Sequence, residues 1–264
     1  MSRIEKRFSE LKKKAFIPFI TAGDPSLQDT PRLIKSLESA GADIIELGVP
    51  FSDPIADGPA IQRASLRALD KGASLRDIIN MVTETREMTQ IPIVLMGYYN
   101  PIYKYGAEKF IKDAAKSGVD GIIVADLPPE EGEDVVSAAR ENDLSTIFLI
   151  APTSTPERVK LISESCTGFV YCVSSLGVTG ARNKISDMLN TTLDRIRNYT
   201  DKPVAAGFGV SNPDQAGEVA QLADGVIIGS AIVNVIEKHK DDADGLIPAV
   251  KEFASDLNDA IKKV

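Results

Sequence analysis

Short runs of apolar residues alternate along the chain with longer stretches in which apolar residues recur every three or four positions. The runs predict eight strands, at residues 15–21, 43–48, 91–97, 121–126, 145–151, 168–173, 203–209 and 225–230. The stretches between them, such as TPRLIKSLESAG and AEKFIKDAAKSG, have the periodicity of amphipathic helices. Strands that are apolar throughout and alternate with helices are typical of a parallel sheet covered by helices.

Eight such units in 264 residues match the size of one α/β domain folded as a (β/α)8 TIM barrel. We therefore predict a single domain over residues 1–264, with two helices within 59–88. The segment up to Lys14 is expected to form an extra N-terminal helix that plugs the bottom of the barrel. Gly41 and Gly118 are expected to end helices with a positive φ. The alternative, an open doubly wound sheet, usually needs a GxGxxG turn after the first strand to bind a dinucleotide, and that turn reads TAGDPS here.

Composition narrows the possible chemistry. The 30 Lys and Arg against 38 Asp and Glu give a net charge of −8, which argues against a nucleic-acid-binding surface. A single histidine, His239, excludes histidine-based metal clusters and Ser-His-Asp triads, so acid–base work falls to carboxylates, Tyr or Lys. The start MSRIEKRFSELKKK lacks the apolar core of a signal peptide, and no apolar run approaches the ~18 residues of a membrane span. We expect a soluble, cytoplasmic protein.

Glu46 is the first candidate catalytic residue. Side chains alternate along the strand DIIELG, so Glu46 shares one face with Ile44, and the opposite face suits the covering helices. Glu46 should then point into the barrel interior near its top, where burial raises the pKa of a carboxyl group. A raised pKa suits a general acid or base working near neutrality. The alternative is a carboxyl group that hydrogen-bonds loop amides and has only a structural role.

The loop VPFSDPIADGP that follows this strand contains two further carboxylates, Asp53 and Asp57. Its three prolines limit the conformations that the loop can adopt. Asp57 could serve the chemistry of the site. It could equally cap the next helix, because Pro59 suits the first helical position. The loop sequence taken alone leaves both roles open.

Glycine-rich loops follow the last three predicted strands, with the sequences LGVTGAR, GFGVSN and GSAIVNVIEK. Glycine lets backbone amides approach an anion closely, and a helix that begins near Gly229 and Ser230 would direct its free N–H groups at it. Loops after strands 7 and 8 form the recurrent phosphate site of (β/α)8 barrels. We therefore predict phosphate binding here, and the alternative is that these glycines only make tight turns.

Bulky side chains at strand ends indicate what the rest of the ligand is. They predict an apolar pocket for a planar group beside the phosphate site. The residues concerned are Phe19, Met96, Tyr171 and Phe208. Packing in the core is the alternative for each of them, because barrels fill their interior with large side chains.

The segment ELGVPFSDPIADGP, residues 46–59, resembles the signature of the tryptophan synthase alpha chain family. The motifs PFITAGDP, MGYYNPI, VADLP, APTS, LGVTGAR, GFGVS and GSAIV follow in the family's order. The chain is identified as a member on these residues. The resemblance implies a lyase of tryptophan biosynthesis, which cleaves indole-3-glycerol phosphate to indole and glyceraldehyde 3-phosphate by a retro-aldol reaction.

The resemblance also implies roles for individual residues. Glu46 would protonate C3 of the indole and then accept the proton of the adjacent hydroxyl, and Asp57 would accept a hydrogen bond from the indole N–H. The residues expected at the phosphate are Gly180, Gly209, Gly229 and Ser230. The residues expected at the indole ring are Phe19, Tyr171 and Phe208. Thr179 would form a hydrogen bond toward Asp57 when its loop closes.

The same resemblance implies a protein partner for this chain. Alpha chains of this family work with a beta chain that carries pyridoxal phosphate, expected as an alpha2beta2 tetramer, so neither a cofactor nor a metal is expected in this chain. Contacts with the partner, which would activate the alpha chain, are expected at Asp53, Pro54, Asn100 and Pro101. One alternative function is a noncatalytic module that binds a phosphate ligand and activates a partner enzyme. Another is an isomerase of the same pathway, which would lack the ELGVPFSDP loop.

Overall fold

The chain folds into a ring of parallel strands surrounded by helices. A computed structural model describes residues 1–174 and 182–264. Within them the strands are β1 (Ala15–Thr21), β2 (Ile45–Gly48), β3 (Ile93–Gly97), β4 (Gly121–Val124), β5 (Ser145–Thr146), β6 (Leu149–Ile150), β7 (Val170–Val173), β8 (Val204–Gly207) and β9 (Gly225–Ile228). The helices are α1 (Arg3–Glu10), α2 (Asp29–Ser39), α3 (Pro59–Asp70), α4 (Leu75–Thr85), α5 (Tyr99–Tyr105), α6 (Ala107–Ser117), α7 (Glu133–Glu141), α8 (Pro156–Ser165), α9 (Arg182–Arg197), α10 (Pro213–Leu222), α11 (Ser230–His239) and α12 (Leu246–Lys262).

The sheet closes on itself. Its strands lie in the order β5-β4-β3-β2-β1-β9-β8-β7-β6, and the paired strands are parallel. The two end strands, β5 and β6, are consecutive pieces of the same short segment. Between them, the Ile147 amide donates to the Ile122 carbonyl at 3.0 Å, and the Phe148 carbonyl accepts from the Tyr171 amide at 3.2 Å. This segment therefore joins the two edges, and the predicted (β/α)8 barrel is confirmed.

Some predicted strand boundaries are wrong. The fifth predicted strand, 145–151, is split, because β5 pairs with β4 and β6 pairs with β7. In a tilted barrel the two neighbours of a strand are staggered along it, so one segment meets them at different heights. The predicted strand 225–230 ends at Ile228, because Ser230 already belongs to α11.

The predicted helical features are largely confirmed. Residues 59–88 hold two helices, α3 and α4, with Gly72 at φ +80° in the turn between them. Gly41 and Gly118 follow the ends of α2 and α6 at φ +98° and +92°, a conformation that L-residues rarely adopt. Over residues 1–174 and 182–264, no helix combines the length and the apolar character that crossing a membrane requires.

Alternation along the strands divides the core into two layers. Side chains such as Ile45 and Leu47 point outward and pack beneath the helices. Side chains such as Ile17 and Ile44 point inward and fill the barrel. The inward direction predicted for the face that Glu46 shares with Ile44 is therefore confirmed.

Helix α1 closes the bottom of the barrel, as predicted, although it ends at Glu10 and not near Lys14. Ile4 is fully buried in the cluster that fills the barrel interior. Arg7 forms an ion pair with Asp43 at 2.6 Å, and the side chain of Asp43 is completely enclosed. Lys262 of α12 pairs with the same carboxylate at 2.7 Å, so two cations compensate this enclosed charge. The polar contacts of α1 thus secure the plug that its apolar face forms.

Candidate active site

The structure brings several of the residues that the sequence singled out to one end of the barrel. Gly209 follows β8, Gly229 follows β9, Phe19 is on β1, and Glu46 is on β2. The strands β8, β9, β1, β2 and β3 are consecutive neighbours in the sheet. Because all strands are parallel, their carboxyl ends lie at the same rim, which is where barrel enzymes carry their active sites. The candidate residues therefore share one rim despite their separation in sequence.

Glu46 is enclosed inside the barrel near this rim. Its relative exposure is 1%, and its Oε2 atom has no hydrogen-bond partner within the described residues. Burial, with a smaller contribution from the negative charge of Asp57, raises the pKa of Glu46 to about 8. The carboxyl group is therefore mostly protonated at neutral pH and can both give and take a proton there. No group of three or more potential metal ligands occurs in the described residues.

The same pKa predicts how stability depends on pH. The folded chain keeps the Glu46 proton up to pH about 8, whereas the unfolded chain releases it near the ordinary value of 4.5. The stabilisation is complete below pH 4.5 and is lost as pH rises through about 8, a loss of roughly 5 kcal/mol. Glu46→Gln should remove this pH-dependent contribution. We expect urea unfolding between pH 5 and 9 to show that the free energy of unfolding of the variant, relative to that of the wild type, increases as pH rises.

A matched variant separates this effect from the general pH response of the chain. Glu87 is exposed at the end of α4, so Glu87→Gln should follow the wild type at every pH. A constant difference between Glu46→Gln and the wild type across this range would show that Glu46 titrates normally.

Asp57 does not cap the helix that follows it. The N-cap of α3 is Gly58, with no hydrogen bond from a capping side chain, and Pro59 takes the first helical position as predicted. The capping alternative for Asp57 is therefore wrong. Its carboxylate instead lines a small pocket together with Phe19 and Met96. Partial burial raises the pKa of Asp57, and a hydrogen bond from Tyr98 opposes that rise.

Tyr98 is a site residue that the sequence analysis did not single out. It follows β3 directly, and its hydroxyl accepts a hydrogen bond from the Ala56 amide at 2.9 Å. The same hydroxyl hydrogen-bonds the Asp57 carboxylate. Burial and the charge of Asp57 raise the pKa of Tyr98 well above its ordinary value, so it stays protonated and can donate. Its position in the motif MGYYNPI, directly after a predicted strand, is the sequence feature that could have identified Tyr98 as a site residue.

Phe19 lies against the neighbouring strand because that strand carries glycine. In the β1–β2 register Phe19 is opposite Glu46. A Cβ atom at Gly48 would lie 2.5 Å from Cζ of the Phe19 ring, so the ring occupies space that only glycine leaves free. Phe19 thereby forms one wall of the pocket that holds Asp57.

The other two predicted aromatic residues occupy different places. Tyr171 points into the barrel, and a Cβ at Gly207 would lie 2.8 Å from its hydroxyl. Burial first, and then the charge of Glu46, raise the pKa of Tyr171 well above its ordinary value. Phe208 packs in the cluster on the outer side of the strands. The pocket beside Asp57 includes neither of them among its described lining residues, so their contact with a ligand stays a prediction.

The glycine loops leave room for an anion at the rim. Gly209 has φ +62°, and no atom lies within 4 Å of the position that a Cβ would take. Helix α11 begins at Ser230 after Gly229, with no capping side chain and no acidic residue in its first turn. Its first N–H groups can therefore bind an anion. Thr179 and Gly180, which were also predicted here, lie outside the described residues.

We expect Gly209→Val to weaken binding of glycerol 3-phosphate about tenfold, the equivalent of one hydrogen bond to a charged group. The added side chain would enter the open space at the rim, and valine resists a positive φ. Titration calorimetry measures the affinity. The matched control is Gly72→Val, which has the same positive φ and open surroundings but lies in the α3–α4 turn. Equal affinity in both variants would remove Gly209 from the phosphate site.

The loop 49–58 and α5 present exposed apolar side chains beside the site. Ile55 is 83% exposed and Tyr103 is 70% exposed. The hydrogen bond between Ala56 and Tyr98 joins the loop to the start of α5. Where such side chains form a contiguous patch, they commonly mark a protein contact.

Comparisons with known proteins agree over the whole chain. A family model described as tryptophan synthase alpha chain matches residues 6–262. A tryptophan synthase alpha chain from Geotalea uraniireducens is 50% identical over 267 residues, which cover 100% of this chain and 99% of that protein. One from a Geobacter species is 49% identical over 260 residues, 96% of this chain and 97% of that protein. The crystal structure of tryptophan synthase subunit alpha from Legionella pneumophila superposes with a TM-score of 0.93 at 38% identity, covering 100% of both chains.

Proposed function

Since the chain belongs to the tryptophan synthase alpha chain family, we propose that Glu46 and Asp57 are the acid–base groups of its reaction. That reaction is the cleavage of indole-3-glycerol phosphate to indole and glyceraldehyde 3-phosphate, a lyase step of tryptophan biosynthesis. The observation that carries the assignment is the state of Glu46. It is enclosed, has one oxygen without a hydrogen-bond partner among the described residues, and keeps its proton at neutral pH.

Glu46 can serve twice in one turnover. Its protonated carboxyl donates to C3 of the indole, which makes the ring an electron acceptor. The resulting carboxylate then takes the proton of the adjacent hydroxyl. The O–H electron pair forms the new carbonyl, the carbon–carbon bond breaks, and its electron pair neutralises the ring. A group with a pKa of about 8 suits both steps, because near neutrality both its protonated and its deprotonated form are accessible at low energetic cost.

Asp57 balances the charge that the first step creates. Protonation at C3 makes the indole N–H more acidic and more positive, and a carboxylate that accepts its hydrogen bond stabilises that charge. The Tyr98 hydroxyl, which bonds Asp57 and the Ala56 amide, holds this carboxylate in place.

The order of the strands supports one orientation of the substrate. The indole ring lies at the ends of β1, β2 and β3, where Phe19, Met96 and Asp57 form a pocket. The phosphate lies at the ends of β8 and β9, at the amides of Gly209, Gly229 and Ser230. The glycerol chain then crosses the end of β1, which lies between β2 and β9 in the sheet.

The test is release of indole from indole-3-glycerol phosphate by the isolated chain and by its mixture with a beta chain. We expect slow release by the chain alone and faster release with the partner. Because the substrate also contains an indole ring, the neutral indole product is extracted from the charged substrate before it is measured. No release even with the beta chain would leave the noncatalytic module that activates a partner enzyme.

Family membership implies a beta-chain partner. We propose that this partner carries pyridoxal phosphate, that the complex is an alpha2beta2 tetramer in the cytoplasm, and that this chain holds no cofactor. The residues proposed to contact the beta chain are Asp53, Pro54, Asn100 and Pro101. The exposed Ile55 and Tyr103 beside them support this surface. Because Tyr98 joins it to Asp57, partner binding there is expected to order the catalytic carboxylate.

A further inference from the structure

Thr21, the last residue of β1, carries an enclosed hydroxyl group for which the described part of the chain offers no hydrogen-bond partner. The residue is 1% exposed, and its Oγ1 atom has no hydrogen-bond partner among the residues that the structure describes. An enclosed hydroxyl without a partner costs about 1–3 kcal/mol. Valine has nearly the same shape and an equal preference for strands. Packing alone would therefore favour valine at this position.

The hydroxyl faces the substrate pocket. Phe16 and Ile20 of β1 point outward to the helices, and Ile17 points into the barrel. Alternation places Thr21 on the inner face with Ile17. Thr21 lines the same pocket as Asp57.

A second unpartnered atom lies on the adjacent strand. Among the described residues the enclosed side-chain atoms without a partner are Thr21 Oγ1, Glu46 Oε2, Ser163 Oγ and Asn258 Oδ1. The last two lie on the outer helices α8 and α12. The first two lie at the rim, because Phe19 is opposite Glu46 and Thr21 is opposite Gly48, one inward position nearer the strand end. Each of these two atoms can form a hydrogen bond with a group that binds at this rim, and a hydroxyl can both accept and donate one.

The path of the substrate supplies that hydroxyl. This step rests on the proposed function, in which the glycerol chain crosses the end of β1 between the indole pocket and the phosphate site. Thr21 is the residue at that end of β1. The hydroxyl on the carbon next to indole C3 must also lie within reach of Glu46, because Glu46 takes its proton.

We propose that the Thr21 hydroxyl donates a hydrogen bond to the reacting hydroxyl of the glycerol chain and holds it for the Glu46 carboxylate. With Thr21 as donor, the substrate oxygen keeps its own proton directed at Glu46. Negative charge grows on this oxygen as Glu46 removes the proton and before the carbonyl forms. The Thr21 hydrogen bond strengthens with that charge and keeps its own proton throughout, so Thr21 stabilises the transition state more than the bound substrate.

Thr21→Val tests this role. We expect kcat to fall about tenfold to a hundredfold with KM changed less than about threefold, since the lost bond matters most in the transition state. Thr21→Ser restores the hydroxyl and should keep kcat within about threefold of the wild type. Indole-3-propanol phosphate, which has no hydroxyl on its chain, should bind Thr21→Val and the wild type equally.

The matched control is Ser163→Ala, which removes the other enclosed hydroxyl without a described partner, on α8. It should leave kcat unchanged, and neither Thr21→Val nor Ser163→Ala should lower the melting temperature. Wild-type kcat in Thr21→Val would overturn the proposal. So would a loss of affinity for indole-3-propanol phosphate that matches the loss of kcat, because packing would then explain both. If the wild type releases no indole, it is the proposed function that fails.

Discussion

Glu46→Gln is expected to lower the rate of indole release about a thousandfold, within the range found when a general acid or base is lost. Glutamine fills the same space but can neither protonate C3 of the indole nor accept the hydroxyl proton. Both steps assigned to Glu46 are therefore lost together. Initial rates with indole-3-glycerol phosphate, with and without a beta chain, measure the effect. Affinity for glycerol 3-phosphate should stay at the wild-type value, because the phosphate site lies at other strands.

Two comparisons make this result specific to the proton of Glu46. Glu87→Gln makes the same substitution at an exposed position and should keep the wild-type rate. The wild-type rate should fall about tenfold per pH unit above pH 8, because the first step needs the protonated carboxyl. If Glu46→Gln still released indole at more than a tenth of the wild-type rate, Glu46 would have only a structural role. The melting temperature of the variant, measured alongside the rate, separates loss of catalysis from loss of the fold.

Asp57→Asn is expected to lower kcat about a hundredfold, comparable to removing one preorganised group that stabilises transition-state charge. The amide can still hydrogen-bond the Tyr98 hydroxyl, but it carries no negative charge to set against the protonated indole. The start of α3 should be unaffected, because Gly58 and not Asp57 is its N-cap. Circular dichroism and the melting temperature check the fold, and steady-state kinetics give kcat.

Asp70→Asn is the matched control for Asp57→Asn, because it makes the same change at a position outside the site. Asp70 is exposed at the other end of α3, away from the rim of the barrel. Its replacement should change neither kcat nor KM. If Asp57→Asn also had the wild-type rate, charge stabilisation by Asp57 would be excluded and only its contribution to the shape of the pocket would remain.

Sequence periodicity alone was sufficient for the architecture. Alternation of apolar runs with amphipathic stretches predicted a (β/α)8 barrel, because side-chain periods of 2 and 3.6 are set by local backbone geometry. The inward direction of Glu46 followed from the same rule applied to a few residues of one strand. The positive φ of Gly41 and Gly118 was predictable because the left-handed conformation at the end of a helix depends on local sequence and not on contacts with distant residues.

Contacts between distant parts of the chain were decided only by the tertiary structure. The loop sequence alone left Asp57 between two roles. The structure excludes the helix cap, because Gly58 is the N-cap of α3, and it places Tyr98, from a different strand end, against the Asp57 carboxylate. The split of the fifth strand depended on where its two neighbours meet it in the closed barrel. That Thr21 Oγ1 and Glu46 Oε2 have no hydrogen-bond partner within residues 1–174 and 182–264 likewise depends on everything that surrounds them. Periodicity specifies the direction in which a side chain points, whereas closure of the barrel determines which residues it contacts. Hydrogen bonding and pKa depend on those contacts.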